Sequence, residues 1–130
     1  MVDRTLISIV DDDEPYREST RKLVALLGYT VRTFSSAADF LGSSLLSETA
    51  CLIADIHMPG MTGVELHGQL IKLGYTIPTI LVTAYPDEAV RKQALKDGVF
   101  CYLSKPVDDR ELESCLRTVL KGGGPTKRIS

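Results

Sequence analysis

A doubly wound α/β fold, one five-stranded parallel sheet carrying five helices, is predicted by three features of this 130-residue sequence. Short apolar runs alternate five times with stretches of helical periodicity, and most of the runs stop abruptly on an acid or a hydroxyl. Helices of about three turns between such runs imply parallel strands joined by right-handed crossovers. The length and the 44% hydrophobic content suit one globular domain with a core that needs neither disulfides nor a metal.

Taken in order, Leu6 to Val10 reads as a buried strand that breaks off at Asp11-Asp12-Asp13-Glu14-Pro15. Pro15 fits the first turn of a helix, and the acids suit the positive end of its dipole. From Tyr16 onward, Tyr16, Thr20, Leu23, Val24 and Leu27 fall on one helical face. Arg17, Glu18, Arg21 and Lys22 fall on the other, and Gly28 closes the helix. Tyr29 to Phe34 reads as the second strand and Ala37 to Leu46 as the second helix, with Ser43, Ser44 and Ser47 as its polar, frayed end. Cys51 to Asp55, bounded by the Pro59-Gly60 turn, is the third strand.

Thr62 opens a third helix whose apolar face is Val64, Leu66, Leu70, Ile71 and Leu73, and Gly74 ends it. Ile77 to Thr83 is the fourth strand, Asp87 to Lys96 the fourth helix ending at Gly98, and Val99 to Leu103 the fifth strand. Asp108 to Leu120 is the fifth helix, turning Leu112, Leu116, Val119 and Leu120 inward. No repeat occurs at a solenoid period. Residues 1–121 read as the domain, and 122–130, Gly- and Pro-containing, as a linker or tail leading to an output domain outside this sequence.

Charge narrows the function classes. The net charge is −2 with a pI near 5.6, and Lys and Arg are scattered, which disfavours direct nucleic-acid binding. No apolar run is long enough for a membrane span, and the first five residues carry an acid where a signal peptide has a basic region, so a cytoplasmic location is expected. Cys51, Cys101 and Cys115 form no CxxC pair and read as free thiols of a reducing compartment, two of them as small core residues.

The strand ends carry the chemistry. Parallel strands bring Asp11 and Asp12, Asp55, Thr83 and Lys105 to one edge, where open α/β sheets bind ligands. Asp55 alone reads equally as a strand cap bonded to nearby amides. Three carboxylates a few ångströms apart require shared protons, a cation or an ammonium. Oxygen ligands of this kind suit Mg²⁺, Lys105 supplies a compact positive charge for a transferring phosphoryl group, and the Thr83 hydroxyl can donate to a phosphoryl oxygen.

Val10 to Pro15, Asp55 to Gly63, Val82-Thr83-Ala84 and Tyr102 to Pro106 together resemble the signature blocks of two-component response-regulator receiver domains, over roughly residues 5 to 121 and most closely the NarL/FixJ type. The resemblance implies a flavodoxin-like (βα)5 fold with strand order 2-1-3-4-5. It implies Asp55 as the phosphoacceptor for a sensor histidine kinase, with Asp12, Asp55 and the His57 backbone carbonyl binding Mg²⁺ and Asp11 holding a metal-bound water. Lys105 and Thr83 would contact the phosphoryl group, Ala84 would leave room for it, and Pro106 would follow a cis peptide. Thr83 and Tyr102 would form a switch that reshapes the surface from Ala89 to Leu103, controlling homodimerisation or a C-terminal DNA-binding domain. His57 and Tyr85 would modulate loss of the phosphoryl group. The chain is then a phosphoacceptor that catalyses only its own phosphotransfer and slow dephosphorylation.

Each residue also has an ordinary explanation: a solvated acidic helix start, a strand-end hydroxyl, a turn, a half-exposed aromatic. His57 and His67 have no metal spacing, and His67 reads as a surface helix residue. An aspartyl-phosphate phosphatase usually carries an acid two residues after its nucleophile, where this chain has His57. A flavin module would need a Ser/Thr/Gly-rich loop where Asp11 to Glu14 stand. A receiver acting only as a phosphorylation-independent binding module is the remaining alternative, although no phosphorylation residue is missing.

Overall fold

The computed structural model describes residues 5–121. Their order is β1 (Leu6–Val10), α1 (Glu14–Leu26), β2 (Thr30–Phe34), α2 (Ala37–Leu41), a 3-10 turn (Leu46–Glu48) and β3 (Thr49–Asp55). They continue with α3 (Gly63–Lys72), β4 (Thr79–Thr83), α4 (Glu88–Lys96), β5 (Cys101–Ser104) and α5 (Asp109–Lys121). The strands form one parallel sheet, as the alternation of runs predicts, in the order β2-β1-β3-β4-β5 that the resemblance implies. The linker expected at 122–130 lies outside the described residues.

Side-chain alternation along the strands divides the core into two layers. Val10, Leu52, Ala54 and Leu81 face α2, α3 and α4 through Phe40, Leu66, Leu70 and Ala94. Ile7, Ile9, Cys51, Ile53, Ile80, Val82 and Leu103 face α1 and α5 through Val24, Leu112, Leu116 and Val119. A sheet covered on both faces explains why its central strands read as unbroken apolar runs rather than alternating ones. Burying one such Leu or Ile side chain contributes about 1.5–3 kcal/mol, so these two layers hold the strand ends in place.

Helix starts follow their capping residues. Asp13 accepts from the Tyr16 amide at 3.3 Å with Pro15 in the first turn of α1, and Asp87 accepts from the Ala89 and Val90 amides at 2.9 and 3.2 Å. Thr62 and Glu65 form a reciprocal capping box at the start of α3.

Three sequence expectations need correction. The second helix ends at Leu41, because Gly42 caps it and the Ser43 hydroxyl takes the Leu45 amide at 2.9 Å, offering the backbone a turn instead of another helical step. Leu46 still reaches the core, from the 3-10 turn. On α3 the inward stripe is Gly63, Leu66, His67 and Leu70, while Ile71 and Leu73 are more than half exposed. His67 is therefore a core residue, and burial, outweighing Asp97, lowers its pKa and favours the neutral ring. The fifth strand begins at Cys101, with Val99 buried ahead of it.

Candidate functional site

Because all five strands run the same way, their carboxyl ends meet at one edge of the sheet, and register sets the neighbours. Val10 pairs with Ala54, Asp55 with Val82 and Thr83 with Ser104, which brings Asp11, Asp55, Thr83 and Lys105 into one row. Hydrogen bonds beyond the strands hold that row: Asp11 N–H to the Phe34 carbonyl at 3.1 Å, Ile56 N–H to Val82 at 2.9 Å and Lys105 N–H to Thr83 at 2.7 Å.

Asp11 and Asp55 are 3% and 6% exposed, so neither is a solvated surface acid. Oxygens of Asp11, Asp12 and Asp55 lie within 4.8 Å of one another, with Asp12 the exposed member. The Lys105 ammonium reaches Asp11 Oδ2 at 3.1 Å and Asp55 Oδ1 at 3.4 Å, and sits 4.3 Å above the Tyr16 ring. Asp11 Oδ1 also accepts from the Asp13 amide at 2.9 Å, and the Arg17 guanidinium donates to the Asp11 carbonyl at 2.7 Å.

Burial raises the pKa of Asp11 even though the Asp13 amide and Lys105 both pull it down. Burial also raises that of Asp55, joined by the neighbouring Asp11 charge and opposed by Lys105. For Lys105, burial acts downward, but the two carboxylates together raise it. The cluster therefore carries more negative charge than one ammonium balances, and a divalent cation with hard-oxygen preference fits the donor set.

The remaining predicted residues lie in or beside the loops that follow β3, β4 and β5. Thr83 is fully buried, its hydroxyl accepting from the Tyr85 amide at 3.0 Å, and Ala84 beside it is exposed. The exposed His57 and Tyr85 rings meet edge-on at 5.3 Å, so residues from different loops form one wall. The Tyr102 hydroxyl accepts from the Asp87 amide at 3.0 Å, tying β5 to the start of α4. The Lys105-Pro106 peptide is cis.

Sequence reasoning missed two contributors. Tyr16 reads as a core-facing position of α1 and Arg17 as a solvent-facing one, yet both touch the notch. Their place in the turn directly after the acids was the available signal. Gly63 is the third unforeseen feature, since a Cβ there would stand 2.5 Å from the Asp55 carbonyl oxygen.

Residues 7–117 match the response regulator receiver domain family. The chain belongs to that family. This receiver domain is 38% identical over 122 residues to the response regulator protein TodT of Pseudomonas putida, covering 93% of the chain and 54% of TodT. It is 32% identical over 114 residues to the transcriptional regulatory protein FixJ of Azorhizobium caulinodans, covering 88% and 54%. Among solved structures, the response regulator StyR superposes with a TM-score of 0.84 at 34% identity, covering 92% of the chain and 60% of StyR. The chain thus spans about half the length of the curated relatives it matches. Among the described residues, no helix is long and apolar enough to cross a membrane.

The raised carboxyls give this receiver domain a signed pH dependence. Between the ordinary Asp range and the raised folded values, the folded state holds protons that the unfolded chain has lost, so these groups lower stability as pH rises through that window. Lys105 acts in the alkaline range, where its contribution is lost as pH climbs through its raised value. Asp11→Asn is expected to raise the melting temperature at pH 7 and to leave it unchanged at pH 3; thermal scans at the two pH values check this.

Proposed function

We propose that this receiver domain is a phosphorylation-activated switch of a two-component system, taking a phosphoryl group on Asp55 from a phosphohistidine of a sensor histidine kinase. The observation that supports it most is the Lys105 ammonium spanning Asp11 and Asp55, at 3.1 and 3.4 Å, in a buried notch that opens through Asp12. An Asp55 oxygen attacks phosphorus, the P–N bond breaks, and its electron pair returns to the imidazole. Lys105 then trades part of its contact with Asp55 for the incoming phosphoryl oxygens. Asp12, Asp55 and the His57 carbonyl would hold Mg²⁺, with Asp11 on one of its waters; the ion supplies positive charge against the transferring group. Exposed Ala84 leaves space beside the notch.

The Thr83 hydroxyl donates to the bound phosphoryl group, and Tyr102 responds by leaving the Asp87 amide and turning toward the space beside Thr83. That exchange alters the α4–β5 face, where Leu95 and Phe100 are exposed apolar side chains suited to a second copy. His57 and Tyr85, packed together above the notch, modulate water attack on the acyl phosphate. The chain is a phosphoacceptor rather than a turnover enzyme. Residues 1–121 form the receiver, and 122–130 lead to a DNA-binding output domain in a longer cytoplasmic protein, a reading supported by the half-length match to the transcriptional regulator FixJ.

The test is incubation with a small acyl phosphate, with and without Mg²⁺, followed by intact mass. One added phosphoryl group, dependent on Mg²⁺, is expected; no adduct under either condition overturns the reading. Lys105→Met is expected to slow formation of the adduct at least tenfold, since it removes a charge-assisted contact made to the transferring group.

A further inference from the structure

The three cysteines, unrelated in sequence, come together in one layer. Alternation along β5 turns Cys101 toward α5 and Tyr102 toward α4. Cys115 on α5 faces back at the sheet, and the Cys101 thiol donates to Cys115 Sγ at 2.8 Å, across 14 residues of chain. Both are partly exposed, whereas Cys51 is fully buried in the same layer. A disulfide needs its sulfurs about 2.05 Å apart, so the two side chains have less than an ångström to close. Among the described residues, no salt bridge or hydrogen bond links either thiol to a cation or to the notch.

We propose that Cys101 and Cys115 are a reversible dithiol–disulfide pair, oxidised by low-molecular-weight disulfides and clipping α5 to β5. The first protein thiolate attacks the small disulfide, forming a mixed disulfide and releasing one small thiol. The second protein thiolate attacks the protein-side sulfur of that mixed disulfide and releases the other. Two electrons and two protons leave the protein, the small disulfide becomes two thiols, and one S–S bond replaces another.

Burial raises the pKa of Cys101, with the neighbouring Cys115 adding to it. Cys101 is therefore mostly protonated at neutral pH, and exchange through it is slow and faster in alkali. Cys51, pushed up to about 12 by burial first and Cys115 second, stays reduced. The clip joins the strand that carries Tyr102 to the last helix, so it stiffens the face opposite α4 without touching the notch.

The test uses the full chain in glutathione buffers of graded redox poise, at pH 8, with peptide mapping under non-reducing conditions. The expected result is loss of two of three titratable thiols, a linked peptide joining Cys101 to Cys115, and a melting temperature several degrees higher that dithiothreitol reverses. Cys51→Ser keeps this behaviour and Cys115→Ser loses it. Three thiols persisting at the most oxidising poise, or a linked peptide containing Cys51, overturns the proposal, and both readings come from the unmutated chain.

Discussion

Asp55→Asn is expected to abolish phosphoryl uptake and, in the same protein, to raise the melting temperature at neutral pH. The first effect is complete, because an amide is no nucleophile toward phosphorus and the other carboxylates of the notch are differently engaged: Asp11 holds the Asp13 amide and Lys105, and Asp12 is exposed. The second effect follows from the cluster's charge. Asp55 is buried beside Asp11, and both burial and that neighbour act against its ionised form. Removing the charge while keeping the shape relieves the repulsion, a gain of order 1 kcal/mol that resembles other stability gained where function is lost. Mg²⁺ is then expected to stabilise the variant less than the native chain, since one charged oxygen donor is gone. Thermal scans with and without Mg²⁺, run beside the phosphorylation assay, check all three statements. A variant that still takes up the group would move the acceptor to Asp11 or Asp12.

Gly63→Ala is expected to be the most damaging single methyl group in the β3–α3 region. An added Cβ meets the Asp55 carbonyl oxygen at 2.5 Å, the Asp55 carbonyl carbon at 3.1 Å and Ile56 Cα at 3.2 Å. All three are backbone atoms, so no rotamer change can relieve the contact. The strand end and the helix start must move apart, against the Gly63 N–H bond to the Ile56 carbonyl at 3.0 Å. Overpacking of this kind costs about 1–3 kcal/mol. Movement here also draws Asp55 away from Lys105, so phosphoryl uptake falls along with stability. Denaturant unfolding and the phosphorylation assay on the same sample check the pair of effects. Gly68→Ala is the control, because a Cβ at that position meets nothing within 4 Å.

The row of Asp11, Asp55, Thr83 and Lys105 could be anticipated because parallel strands turn sequence landmarks into neighbours without side-chain detail, while the strand order followed from the resemblance to receiver domains. The apolar runs announced their strands because both faces of the sheet are covered. What stayed hidden depends on distances between elements. Ile71 and His67 exchange roles because helical position, not apolarity alone, decides burial: Gly63, Leu66, His67 and Leu70 share one stripe. The apolar Leu46 continues the helical pattern of the second helix, but in the fold a 3-10 turn brings it to the core. Tyr16 over Lys105, Arg17 on the Asp11 carbonyl and the Cys101–Cys115 contact join elements whose packing no local pattern encodes. The Gly63 contact is of the same kind, since a glycine at a helix start looks like any other until the Asp55 backbone is placed against it.

Chemical trapping decides whether this notch carries a phosphoryl group on Asp55. The chain would be phosphorylated with a small acyl phosphate and Mg²⁺, then reduced with borohydride, which converts an aspartyl phosphate to homoserine, and the modified residue located by peptide sequencing. Homoserine is expected at position 55 alone, dependent on Mg²⁺ and absent when Mg²⁺ is chelated. Homoserine at position 11 or 12, or no conversion in a chain that binds Mg²⁺, would contradict it.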